Sequence, residues 1–101
     1  MAGELLQLAR AASRAALAVE GVAALGTGRF AEAATYEGGE KVTGVVVKNG
    51  AVEVHVILSY PLPRPVPQIA AEIAEKVSSE TRGRRATVVV EDLEVEGDAG
   101  L

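Results

Sequence analysis

His55 is the only histidine in the chain, and imidazole is the side chain best suited to move a proton near neutral pH. Glu53 stands two residues earlier in an alternating segment, so the two side chains share one side and form a carboxylate–imidazole pair able to tune a pKa. One His with one Glu provides too few ligands for a stable metal site, and there is no cysteine or second histidine to complete it. His55 is therefore expected to be a solvent-facing sheet residue. Gly26-Thr27-Gly28 has the small residues that let a backbone approach an anion. It lacks the further glycines, or the Lys followed by Ser or Thr, of a phosphate loop, and is expected to be a turn. Arg82, Arg84 and Arg85 cluster in four residues. Guanidinium groups suit a helix C-terminus, yet three exceed what a cap needs, and an acidic partner or another anion would find them attractive. Glu91, Asp92, Glu94, Glu96 and Asp98 follow, in a pattern suited to a solvated edge that blocks strand-to-strand aggregation. No Ser, Thr or Lys stands beside an activating partner in the sequence. No catalytic, cofactor-binding or metal-binding residue is assigned, and no cofactor is expected.

These residues need elements to position them. Leu5, Leu8, Ala9, Ala12, Ala16 and Val19 recur at three- and four-residue spacing, predicting a helix over residues 4–20 that ends before Gly21. A short strand follows at Val22 to Leu25. The stretch through Gly39 has no clear period, and Ala31 to Tyr36 fits helix or strand. Val42 to Lys48 and Ala51 to Tyr60 flank Asn49-Gly50, the pair favoured where both central residues of a two-residue turn take positive φ. That turn sets Lys48 opposite Ala51, Val47 opposite Val52, Val45 opposite Val54 and Thr43 opposite Val56. Alternation puts Val45, Val47, Val52, Val54, Val56, Leu58 and Tyr60 on one face, and Gly44, Val46, Lys48, Glu53, His55, Ile57 and Ser59 on the other. Pro61, Pro63 and Pro65 hold an extended connection, and Pro67 suits the first turn of a helix reaching about Thr81. Its buried side is Val66, Ile69, Ala70, Ile73, Ala74 and Val77. The last strand, Ala86 to Val95, changes phase between Val90 and Leu93, which implies a bulge near Glu91-Asp92 or two partly covered faces.

The fold class expected is α+β, a two-layer sandwich in the order α-β-β-β-α-β. A small, mostly antiparallel sheet of three to four strands carries two helices on one face. A chain of 101 residues fits one domain, with its core at about residues 5–96 and a frayed tail at 97–101. The core must be aliphatic, since 49% of residues are hydrophobic but only 3% aromatic. The absence of cysteine excludes a disulfide framework and suits a reducing compartment. The first residues lack a basic region and do not read as a signal peptide. No apolar run approaches the ~20 residues that cross a bilayer, so no direct membrane insertion is expected. A net charge of −4 disfavours nucleic acid as the main partner.

Several segments, in order, resemble the alkaline shock protein family of Gram-positive envelope stress proteins. They are Ala18 to Gly26 with its Glu20-Gly21-Val22, the valine-rich hairpin of Gly44 to Val47 and Ala51 to Tyr60, Val66 to Ile73 with Lys76-Val77, and Val88 to Val95. The segment between Gly26 and Glu40 departs from the glycine-rich, basic pattern of that family, and the usual longer charged tail is missing. The resemblance implies a non-catalytic cytoplasmic protein that self-assembles into homo-oligomers. It also implies protein partners, among them a separate membrane anchor that would hold it at the membrane periphery. No catalytic residue is carried over.

The function expected is that of an interaction or scaffolding module. Its contact surface would be an exposed sheet edge or the mixed hairpin face of Val46, Glu53, His55 and Ile57, with Arg82, Arg84 and Arg85 as a second polar surface. The alternative is a small nucleic-acid or small-molecule binding module that uses the arginines, extended by Arg64 if the proline-rich connection folds nearby.

Overall fold

The computed structural model describes residues 3–28 and 32–95. The first element is helix α1 (Glu4–Leu17), an alanine-rich segment of high helical propensity. Leu8, Ala9, Ala12, Ala15 and Ala16 lie on its buried side, continued by Val19 beyond its end. Alanines there let the helix lie close against its neighbours. Leu6 is fully buried and Leu5 is 43% exposed, the reverse of the expected stripe. The cause is a hairpin that packs against the start of the helix. Gly3 offers no side-chain cap. Instead the Glu37 carboxylate, 31 residues along the chain, accepts the Leu6 N–H at 2.9 Å and places negative charge at the helix N-terminus.

Strands β1 (Val22–Leu25), β2 (Ala34–Glu37), β3 (Glu40–Thr43), β4 (Val45–Lys48) and β5 (Ala51–Tyr60) follow, then helix α2 (Val66–Glu80) and strand β6 (Ala86–Val95). The order therefore has two more strands before α2 than the sequence suggested. β2 and β3 form a separate two-stranded sheet against α1, while β1, β4, β5 and β6 form the main sheet. β5 is its spine. β4 pairs with the first half of β5 and β1 with the second half, both antiparallel, and β6 runs parallel along the other side. Both helices cover one face, where Val45, Val52, Val54, Val56 and Leu58 pack with Ile69, Ile73 and Val77 of α2 and the alanines of α1. Each fully buried Val, Leu or Ile contributes about 1.5–3 kcal/mol. This is the α+β two-layer sandwich with a mostly antiparallel sheet.

The hairpin register holds from Lys48↔Ala51 to Val45↔Val54, with Asn49 at φ 52° and Gly50 at φ 76° in the turn. It stops at Gly44. Thr43 pairs with Ala34 rather than Val56, and Val56 pairs with Leu25. Gly44 has φ 89°, and a Cβ there would lie 2.6 Å from Leu25 Cβ, so the chain breaks into two strands where β1 and β4 meet. Its N–H bonds to Ala33 C=O at 2.7 Å and its C=O accepts the His55 N–H at 2.8 Å. Thr35 is buried just beside this junction, its hydroxyl donating to Val45 C=O at 2.6 Å. On the far side, the phase change in β6 is a bulge: Val56 pairs with Val90 but Ile57 with Asp92, leaving Glu91 as the extra residue. Leu93 is thereby returned to the side of Leu58. Val66 and Tyr60, expected inside, are exposed at the end of the sandwich where β5 passes into α2. The expected tail at 97–101 lies outside the described residues.

Candidate functional site

The face of β5 turned away from the helices carries Glu53, His55, Ile57 and Ser59, with Val46 registered beside Glu53. His55 is only 8% exposed, which overturns the expectation of a solvent-facing residue. It is held on both ring nitrogens. Nε2 lies 2.6 Å from Glu53 Oε2 and Nδ1 lies 2.7 Å from Glu91 Oε2. Alternation along one strand provides Glu53. Glu91 comes from the bulge of β6, a device that re-aims a side chain. The Gly26 N–H donates to His55 C=O at 2.8 Å, which fixes the backbone of the histidine between Gly26 and Gly44.

Glu91 also organises the glycine turn. Its Oε2 accepts the Gly28 N–H at 2.7 Å, and a Cβ on Gly26 would overlap its carboxylate. The backbone of Gly26-Thr27-Gly28 thus approaches an anion as the sequence hinted, but that anion is the protein's own carboxylate. Glu32, His55, Val89 and Glu91 line a hollow of about 410 Å³ above the ring.

Burial of His55 disfavours its charged form, but its hydrogen bonds to the carboxylates of Glu53 and then Glu91, with the charges of both, outweigh this and raise its pKa above 6.5. An imidazolium has two N–H donors and matches two carboxylates. In that state no ring lone pair faces a substrate, and Glu53 and Glu91 sit on opposite nitrogens rather than converging on one point. Among the described residues no group of three or more His, Asp or Glu is arranged to hold a metal ion.

The arginines divide. Arg84 donates to Gly50 C=O at 3.3 Å and lies 3.9 Å from Glu4, tying the end of α2 to the hairpin turn and to α1. Arg82, highly exposed, reaches Glu4 at 3.5 Å. Arg85 is exposed and lines a second hollow, of about 540 Å³, with Val46, Lys48, Glu53 and Thr87 among its neighbours. Arg64 does not extend this cluster. It pairs with Glu72 and Glu20 near the start of α2, and the 15 residues of α2 span about 22 Å to the other arginines. Val46 and Ile57 are half-buried, and so present less apolar surface than expected.

The acidic run also divides. Glu91 faces His55, Asp92 Oδ1 accepts the Leu93 N–H at 2.8 Å, and Glu94 is exposed. Glu96 and Asp98 lie outside the described residues. Sequence reasoning missed Glu91 as the second partner of His55. The signal was the break in alternation at Glu91, which marked the bulge but not which strand would lie beside it.

The outer side of β6 has no strand paired to it among the described residues. Val90, Leu93 and Val95 are exposed along this strand, with exposed Tyr60 registered beside Val95. No helix among the described residues is long and apolar enough to cross a membrane. No family model, no curated protein and no solved structure matches the chain significantly.

Proposed function

We propose that this protein is a non-catalytic interaction module of the kind that envelope stress proteins represent, and that it self-associates through the outer edge of β6. The observation that carries the proposal is the open ten-residue edge with Val90, Leu93 and Val95 exposed on it. An open edge presents unpaired N–H and C=O groups that template another strand. Charge supports a second copy as the occupant. Arginines 82, 84 and 85 precede the strand and Asp92 and Glu94 occupy its far half. In an antiparallel pair centred near Val88 to Val90, the arginines of one copy fall beside the acids of the other, twice by symmetry. Cytoplasmic residence, a membrane-anchoring partner and a part in envelope homeostasis belong to the same proposal and rest on the family resemblance.

The test is sedimentation over a range of concentrations. Mass should rise with concentration in the wild type. Val52 N–H bonds to Arg85 C=O, so alternation turns the N–H of Val88 away from β5, and Val88→Pro should remove self-association while leaving β5–β6 pairing. A second pair of variants guards against misfolding. Asp92→Arg with Glu94→Arg, and Arg82→Glu with Arg85→Glu at the two exposed arginines, should each be monomeric alone and associate when mixed. A wild type that stays monomeric at high concentration would rule the edge out.

A further inference from the structure

The two carboxylates on His55 are not held alike. Glu91 is 21% exposed at its side chain and also holds the Gly28 N–H, whereas the Glu53 side chain is 45% exposed and has no second hydrogen bond among the described residues. A neutral imidazole keeps one N–H, so it cannot donate to both. The nitrogen without a proton then directs its lone pair at a carboxylate oxygen less than 3 Å away, and one contact must open. Glu53 is the one free to leave.

Its alternative partners are in place. Glu53 is registered between Val46 of β4 and Thr87 of β6. Lys48 and Arg85 are therefore its two diagonal neighbours, on the side away from His55, within reach of long side chains. All three residues line the 540 Å³ hollow at the hairpin end. The charged groups facing the ring are Glu53 of β5, Glu91 of β6 and Glu32 of the segment before β2. Gly26, just after β1, and Gly44, just before β4, meet the histidine through their backbones.

We propose that Glu53 is a proton-controlled switch arm, bound to His55 Nε2 while the ring is charged and turned to Lys48 and Arg85 when the ring is neutral. Protonation of one residue in the middle of the sheet thus sets the net charge of the basic surface at the hairpin end. A charged ring draws Glu53 away and leaves Lys48 and Arg85 uncompensated. A neutral ring releases Glu53 to cover them. The switch shares Arg85 with the proposed interface but not the β6 edge itself, and the same titration on Val88→Pro, the variant made to block pairing, tests it apart from self-association.

The experiment is an NMR pH titration of the full chain with labelled histidine and glutamate. The neutral ring should carry its proton on Nδ1, the less common tautomer of free histidine, because Glu91 keeps its bond. The carboxyl carbon of Glu53 should shift at the midpoint of His55, while the Gly28 amide stays in place. Glu53→Gln should lower that midpoint, and Lys48→Gln combined with Arg85→Gln should raise it by removing the competitors. A neutral ring protonated on Nε2, or a Glu53 signal that does not follow the histidine, would overturn the switch. So would a ring that never titrates while the chain is folded.

Discussion

β5 presents two faces made from one alternating strand, and they work by opposite physics. Val52, Val54, Val56 and Leu58 are fully buried under the helices. Glu53, His55 and Glu91 form a polar cluster on the reverse. The first face draws on non-directional burial, so any aliphatic side chain of suitable volume would nearly serve. The second depends on donors meeting acceptors at fixed positions, and on a proton that solvent pH controls. A single strand thus combines a stability element with a chemically responsive one. The difference teaches where sensitivity to conditions should be sought: on the reverse of the core rather than within it.

Breaking the buried face should cost most. Leu58→Ala removes a fully buried side chain from the aliphatic core beneath the helices and should destabilise by about 2–5 kcal/mol in denaturant unfolding. That loss should be the same at acidic and alkaline pH, because the core cluster that holds Leu58 is aliphatic. The seam between the faces comes next. Gly44→Ala forces an L-residue to φ 89° with its Cβ against Leu25, at a cost of about 1–3 kcal/mol. It should also speed amide exchange at His55, whose N–H bonds to Gly44 C=O.

The polar face should show the smallest effect and the only pH dependence. His55→Gln should cost only about 0.5–1.5 kcal/mol near pH 6, because the Glu91 carboxylate keeps the Gly28 N–H and the Glu53 side chain is 45% exposed. The pKa of His55 is raised by folding, so the folded state binds the proton more tightly than the unfolded chain. Its stabilisation is fully present below the unfolded value of 6.5 and is lost as pH rises through the higher folded value. Thermal melts across that window should therefore show wild type and variant converging toward alkaline pH. Parallel curves would show that the imidazole contributes packing but no proton linkage.

Much of this was legible beforehand because it is local. Asn49-Gly50 dictates its own turn, and the register of β4 with β5 follows from it residue by residue. The proline-started helix and its Ile69, Ile73 and Val77 stripe follow from spacing alone. Pairing across long separations was not legible. Nothing in residues 34–43 revealed that they form a hairpin against α1, since short strands of mixed composition have no period to announce them. Nor could the acids near residue 91 be matched to the histidine at 55.

The sequence by itself determined the α+β class, the hairpin register from Lys48 back to Val45, most of the buried stripe of each helix and the change of phase in the last strand, because backbone preference and hydrophobic period act over a few residues. Only the tertiary structure decided that β6 runs parallel beside β5. That placement carries Glu91 onto His55, turns a histidine expected in solvent into one held at both nitrogens, and leaves the other edge of β6 unpaired among the described residues. Those outcomes depend on which distant segments meet, and the free energy that selects the meeting is spread over the whole core rather than recorded in any short stretch of residues.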